Sequence, residues 1–394
     1  MQAVILAAGK STRMQPLTVT RPKALLPILD RSVIQVLLDN LQETAEEAII
    51  IVGYLKEQVM QTIGESYKNI KIRYIEQKEQ LGTGHALLQA KDLLKGKFLV
   101  LNGDDLYSEI DIQNCSRHEL CVLGKEIKDP QKWGIISMSK GNLLGIIEKP
   151  KETISNIANT GLYVLDNRIF AYLGKTTKSE RGEIEIPAAI TMMCKEHDIS
   201  VETVQDYWLP IGYPWQLLEA NVFFLNRISE SSIKGTIEEN VHIKGTVVVG
   251  ENTVIKSGTY IEGPAWIGKN CEIGPQAYIR KDTILLDNVR TRAEIVDSLL
   301  MKGVTAKHDS YIGHSVLGEN CNIGAGTITA DYRHDGNNHV TIVMGKKVDT
   351  ERRKLGAFIG DNVMTAIHTS IYPGRKIWPK KTTLPGEIVT KDIL

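Results

Sequence analysis

The chain has 394 residues and carries 47 Lys+Arg against 47 Asp+Glu, a formal net charge of zero. That balance gives no ground for bulk binding of nucleic acid or of an anionic membrane. The length predicts two domains rather than one core. Five cysteines stand at 115, 121, 194, 271 and 321 with no C-x-x-C pair, which points to a reduced, cytoplasmic protein and away from a zinc site. The sequence starts in an apolar run without a charged leader or cleavage site, and no apolar stretch is long enough to span a bilayer. Neither a nucleic acid nor a membrane is therefore expected as a partner.

The first predicted strand is the apolar run Ala3-Val4-Ile5-Leu6. Small residues follow, Ala7-Ala8-Gly9, so the backbone from Leu6 through Ala8 and Gly9 can approach a ligand closely. Lys10, Ser11, Thr12 and Arg13 then bring backbone donors, hydroxyls and two cations to the strand end, where a phosphate can be held. Pro22 stiffens the chain just before a third cation, Lys23. Two commoner phosphate loops are excluded. A P-loop needs glycine where Val4 stands, and the dinucleotide fingerprint lacks its third glycine.

Further strands are predicted at 48–53, 71–75 and 97–102, with helices over 32–42 and 83–95 between them. This alternation predicts a mostly parallel sheet covered by helices, with ligands at the carboxyl ends of the strands. Two segments fall there. Gln77 to Leu87, QKEQLGTGHAL, is a glycine turn feeding a helix, and the Gln77 amide can both donate and accept, as reading a base edge requires. Asn102-Gly103-Asp104-Asp105 ends a buried strand with a carboxylate suited to Mg²⁺. Asp105 points elsewhere in an extended chain. Trp133-Gly134, Glu148-Lys149-Pro150 and Asn159-Thr160-Gly161 follow.

An amphipathic helix from Pro214 to about Ile228 closes the first domain, residues 1–228, and Ser229 to Ser232 form a polar hinge. From Ile237 the period changes. Ile243, Val249, Ile255, Ile261, Ile267, Ile273, Ile279 and Leu285 stand six apart, the hexapeptide signature of a β-helix over 229–394. The phase breaks near Thr291 and later resumes, and the charged, unpatterned stretch Asp331 to Leu355 is expected to loop out of the coil.

The stretch Leu6 to Ile28 resembles the signature of sugar-1-phosphate nucleotidylyltransferases, with Ser11 where a glycine is usual. The hexads resemble the left-handed β-helix of acyltransferases. Taken whole, the chain resembles the two-domain enzymes that make UDP-N-acetylglucosamine, in the branch with an insertion near the C-terminus. The resemblance implies a Rossmann-like nucleotidyltransferase domain followed by a left-handed parallel β-helix. It implies transfer of a uridylyl or thymidylyl group from UTP or dTTP to N-acetylglucosamine 1-phosphate or glucose 1-phosphate, with release of pyrophosphate. It also implies acetylation of glucosamine 1-phosphate by acetyl-coenzyme A, and a homotrimer.

By the same resemblance, Arg13 and Lys23 are the catalytic cations and Asp104 holds Mg²⁺. Gln77, Gly82 and Thr83 read the pyrimidine. Gly134, Glu148 and Asn159 take the sugar, and Lys149 its phosphate. His308 is the base for acetyl transfer, in the segment Lys307-His308-Asp309-Ser310-Tyr311-Ile312-Gly313, while Tyr311 and Asp331 seat the acceptor. Three positions depart from the pattern. Pro210 stands where a second metal-binding aspartate is usual, with Asp206 the nearest carboxylate. Lys307 replaces a glycine, and Asp331 replaces an asparagine. Two other readings are a nucleotidylyltransferase whose β-helix only assembles the oligomer, and a non-catalytic regulatory subunit.

Overall fold

The computed structural model describes residues 1–152, 154–179 and 181–394. The chain packs into two compact units whose bounds do not follow a single cut in the sequence. One comprises Met1–Lys10, Pro22–Leu25 and Val33–Pro210, and the other Ser11–Arg21, Leu26–Ser32 and Ile211–Leu394. By packing, the helix Pro214–Leu225 thus belongs to the second unit.

The first unit is built on a ten-stranded sheet. At its centre Gln2–Leu6 runs parallel to both Glu47–Val52 and Lys97–Asn102, with Val4 opposite Ile49 on one side and Val100 on the other. Ala3, Val4 and Ile5 are all fully buried, so successive side chains on both faces are covered. That is why these strands read as unbroken apolar runs. The predicted mostly parallel sheet needs correction beyond this centre. Ile157–Asp166 runs antiparallel to Lys97–Asn102 and to Cys121–Glu126, and Gly134–Ser139 pairs antiparallel with Asn142–Glu148. The last pair is joined only by Lys140 and Gly141, at φ 50° and 82°, and so short a link permits only an antiparallel return. The helix predicted over 83–95 ends at Gln89 and gives way to a tighter turn, Lys91–Leu93.

The second unit is a left-handed parallel β-helix with three faces, two of eight strands and one of five. Val249 stacks on Ile267, Ile267 on Leu285, and Leu285 on Leu300, all completely buried. The last of these steps is shorter than the other two, which accounts for the break in phase near Thr291. Corners recur at Asn252, Asn270 and Asn288, with φ of 58°, 54° and 61°. Asparagine is among the few side chains that enter this left-handed region at small cost.

The insertion from 331 to 355 is not unpatterned. It contains an antiparallel hairpin, Val340–Val343 with Lys346–Asp349, turning at Met344-Gly345. Thr341 and Val343 are buried while Val340 and Ile342 are exposed, the alternation of a half-covered strand. Lys376 Nζ donates to the Ile342 carbonyl at 2.7 Å and ties the hairpin to the coil beneath.

Candidate functional sites

In the first unit the loop after Leu6 lies among the carboxyl ends of the central strands. The Leu6 carbonyl accepts from Gly103 N at 2.9 Å, and Ala7 N donates to Ile51 at 2.9 Å. The Ala8 carbonyl accepts from the Gln80 side chain at 2.8 Å, a contact that the sequence did not single out. At Gly9 a side chain would meet nothing within 4 Å, so the backbone there is open to a ligand.

Lys23 follows Pro22 in a short turn and is 5% exposed. Its Nζ lies 2.8 Å from Asp104 Oδ2, and the Asp104 side chain is 44% exposed. Asp105 turns the other way and is buried, accepting long contacts of 3.4 Å from Asn102 Nδ2 and Trp208 Nε1. Burial first, and then the charge of Asp104, raise its carboxyl well above the usual range. The strand Trp208–Pro210 pairs antiparallel with Asp105–Tyr107 and sets Pro210 opposite Asp105. A carboxylate thus stands across from Pro210, drawn from a distant strand. Asp206 is exposed, and its backbone N–H reaches Asp111 Oδ2 at 3.4 Å. Among the described residues no three His, Cys, Asp or Glu side chains cluster as a metal cage.

The Gly82 turn is fixed by crowding. Its φ is 101°, and a Cβ there would lie 2.4 Å from the Ile184 carbonyl oxygen. Gln77 Nε2 donates to the Gly82 carbonyl at 3.1 Å and meets His85 Nδ1 at 3.0 Å, so both amide hydrogens are used within the protein. Thr83 Oγ1 accepts from Ile186 N at 3.2 Å, at the start of the helix Ile186–Met193. On the antiparallel flank, Gly134 pairs with Glu148. A Cβ on Gly134 would come within 2.9 Å of Glu148 Oε2 and 3.9 Å of Asn159 Cβ, so these three residues converge. Asn159 Nδ2 donates to Tyr163 Oη at 2.7 Å, and Lys149 is exposed at φ 46°.

In the second unit the Arg13 guanidinium lies 5.3 Å over the Tyr213 ring, which stacks on Trp215 at 4.5 Å. Arg21 is anchored by Glu319 and Asp361, each at 2.7 Å. Burial opposes its charge, but those two carboxylates outweigh burial and hold the guanidinium firmly protonated.

Of the three residues expected for acetyl transfer, two meet directly. Tyr311 Oη donates to Asp331 Oδ2 at 2.8 Å. His308 is exposed, and its carbonyl accepts from Ser310 Oγ at 3.0 Å and from Gly326 N at 3.1 Å. Among the described residues its ring makes no hydrogen bond. The histidine brought to Asp331 is another, His314, with Nε2 3.4 Å from Asp331 Oδ2 and Nδ1 2.6 Å from Asp297 Oδ2. Arg352 donates to Asp297 at 2.8 Å. Burial works against the Asp297 charge, but the His314 hydrogen bond and Arg352 prevail and hold its carboxyl below the usual range. The only sequence signal for His314 was its place directly after Gly313.

Comparison with known proteins fixes the class first. The nucleotidyl transferase family model matches residues 2–227, and the model of the GMPPB C-terminal domain matches residues 259–382. A solved structure of UDP-glucose pyrophosphorylase complexed with UDP-glucose is similar with a TM-score of 0.54 and 25% identity, covering 58% of this chain and 99% of that one. The Bifunctional protein GlmU of Methanocaldococcus jannaschii is 40% identical over 381 residues, 96% of this chain and 92% of its own. The Bifunctional sugar-1-phosphate nucleotidylyltransferase/acetyltransferase of Sulfurisphaera tokodaii is 40% identical over 399 residues, 100% of this chain and 98% of its own. The chain belongs to this family of bifunctional nucleotidylyltransferase/acetyltransferases. The family carries both a nucleotidyl and an acetyl transfer, which sets aside the regulatory and the assembly-only readings.

Proposed function

We propose that this enzyme couples N-acetylglucosamine 1-phosphate or glucose 1-phosphate to UTP or dTTP, and acetylates glucosamine 1-phosphate from acetyl-coenzyme A. The observation that carries the first activity is the pairing of Lys23, in its short turn, with Asp104 just past the end of a central parallel strand. In nucleotidyl transfer the sugar phosphate oxygen attacks the α-phosphorus, the bond to the bridging oxygen breaks, and pyrophosphate leaves. Lys23 and Arg13 supply fixed positive charge where phosphate oxygens gain negative charge. The half-exposed Asp104 carboxylate fits Mg²⁺, which takes one or two carboxylates and fills its shell with phosphate oxygens and water. When bound, the ion would further neutralise the triphosphate. Leu6, Ala8 and Gly9 line the nucleotide, Gln77, Gly82 and Thr83 the base, and Gly134, Glu148, Lys149 and Asn159 the sugar phosphate.

In acetyl transfer the acceptor amine attacks the thioester carbonyl. A carbon–nitrogen bond forms, the carbon–sulfur bond breaks, and the thiolate leaves as it takes a proton. His308 removes the ammonium proton, and Tyr311 and Asp331 seat the sugar. Residues Tyr311, Ile328, Ser370 and Ile388 follow one another in register along one face of the coil, with Ile328 46% and Ile388 60% exposed. The two exposed isoleucines on this face support lateral packing of three copies. Light scattering should give about three chain masses, and a clean monomer would overturn the trimer. The free thiols of all five cysteines support a cytoplasmic setting.

The deciding experiment is product analysis by mass spectrometry with mixed sugar 1-phosphates, UTP, dTTP and acetyl-coenzyme A. Strong preference for ATP or GTP would overturn the pyrimidine assignment. Absence of thiol release with both glucosamine 1-phosphate and galactosamine 1-phosphate would overturn acetyl transfer.

A further inference from the structure

Asp331 presents a chemical difficulty for acetyl transfer. A bare carboxylate beside the acceptor would stabilise its ammonium form and oppose the loss of the proton that the attack requires. The surroundings of Asp331 answer this. Its side chain is 12% exposed, and one oxygen is crowded by Tyr311 Oη at 2.8 Å and His314 Nε2 at 3.4 Å. Gly313 makes room for that crowding, because a Cβ there would lie 2.6 Å from Asp331 Oδ2 and 2.7 Å from Tyr311 Oη.

His314 is held from the other side. Nδ1 is 2.6 Å from Asp297 Oδ2, which Arg352 also contacts at 2.8 Å, and Arg352 reaches Glu219 on the helix Pro214–Leu225 at 3.0 Å. Asp297 and His314 both lie in the left-handed region, at φ 40° and 50°. Left-handed residues of the same types recur at other corners of the coil, among them Asp282, Asn288, Asp309 and His368. Asp282 also faces His314 electrostatically, while His339 Nε2 donates to the backbone oxygen of Asp331 at 3.0 Å rather than to its carboxylate.

The ring of His314 is 8% exposed and has a carboxylate at each nitrogen, yet its buried Nε2 makes no well-aligned hydrogen bond in the free protein. A neutral imidazole has one donor and one acceptor, so it can face only one carboxylate favourably. Both contacts are attractive only when both nitrogens carry a proton. The imidazolium then offsets the negative charge of Asp331.

We propose that His314 is a positioning residue for acetyl transfer: it bridges Asp297 and Asp331 and cancels the charge of Asp331, so that this carboxylate can orient the amino-sugar acceptor without retaining its ammonium proton. The inference rests on the acetyl-transfer reading above. His308 remains the base, and His314 acts through Asp331.

The test follows thiol release from acetyl-coenzyme A with glucosamine 1-phosphate across pH, in wild type, His314→Gln and the double variant His314→Gln/Asp331→Asn. In His314→Gln the uncompensated carboxylate should shift the rising limb of the profile to higher pH and lower the neutral-pH rate about tenfold, the effect of one pKa unit on the acceptor amine. Removing that charge in the double variant should return the profile toward wild type. Pyrophosphate release, measured in parallel, should be the same in all three. An unchanged His314→Gln profile, or a deficit that Asp331→Asn does not reverse, would overturn the proposal while leaving acetyl transfer intact. Wild type without any thiol release would instead overturn the acetyl-transfer reading and the role of His314 with it. Should His314→Gln fail to fold, nitrogen NMR of the wild-type ring decides. Two protonated nitrogens at neutral pH are expected, and a neutral ring with a bare Nε2 would overturn the proposal.

Discussion

The Lys23–Asp104 pair and the Asp331 cluster each set a carboxylate beside a basic side chain, but they are built in opposite ways. In the first pair the lysine is buried and the carboxylate is 44% exposed. The Asp104 oxygen not engaged by Lys23 can therefore take an ion or a water while Oδ2 keeps the buried ammonium paired. Asp331 is 12% exposed and ringed by Tyr311, His314 and the crowded backbone at Gly313. Its partners are fixed by the fold. The difference suggests that chemistry and stability separate cleanly at Lys23 and are entangled at Asp331.

The largest effect that would sharpen this contrast is on nucleotidyl transfer. Lys23→Met keeps the buried stem but removes the charge, and should lower pyrophosphate release about 10²- to 10³-fold. Acetyl transfer and the denaturation midpoint should stay close to wild type, because Asp104 is left partly in water. Wild-type turnover in the purified variant would remove Lys23 from the catalytic set. His308→Ala comes next, with thiol release reduced about 10²-fold and pyrophosphate release preserved. Undiminished thiol release would mean that another group takes the proton.

Arg21 stands only two residues before Lys23 and shows the other behaviour. It is 13% exposed, and its partner Asp361 is 9% exposed, whereas Glu319 is 37% exposed. Arg21→Met leaves Asp361 as a buried charge, partly offset by Thr20 Oγ1, which donates to it at 2.5 Å. Stability should fall by roughly 3 kcal/mol, at the lower end for a broken buried pair because Glu319 can regain water. Guanidinium unfolding monitored by fluorescence measures this, and a change within error would show that the pair contributes nothing net.

What could be read from the sequence follows the same physical division. The central strands were legible because burial on both faces leaves unbroken apolar runs, as at Ala3 to Leu6 and Phe98 to Leu101. The coil was legible because an inward aliphatic recurs every six residues from Ile237 to Leu285. Gly9, Lys23 and Asp104 were legible as a local motif at strand ends. The hairpin of 340–349 was missed because Lys346, Lys347 and Asp349 mask its alternation, and Met344-Gly345 is not a familiar turn pair. The contact of Asp105 with Trp208 joins residues 103 apart, and no local pattern announces it. His314 and Asp297 meet because successive coils stack just where the hexad phase has slipped, so their alignment cannot be counted from the sequence.

The smallest expected effect concerns pH, at the base of the insertion. His339 is buried, and its Nε2 donates to the Asp331 carbonyl. Burial, the largest influence, lowers its pKa below the ordinary 6.5; the hydrogen bond to the Asp331 carbonyl works the other way without outweighing it. The unfolded chain therefore binds this proton more readily than the fold does. The contribution is fully favourable above the folded and unfolded values alike, and it is lost as pH falls below about 6.5 toward the depressed folded value. His339→Gln retains a donor for the Asp331 carbonyl but cannot titrate. Between pH 7.5 and 5.5 the melting temperature of wild type should fall more than that of the variant, the other histidines being common to both. Parallel curves would show that His339 does not change protonation on unfolding. A steeper fall in the variant would mean that the folded state favours its proton, the reverse of what burial beneath the hairpin implies.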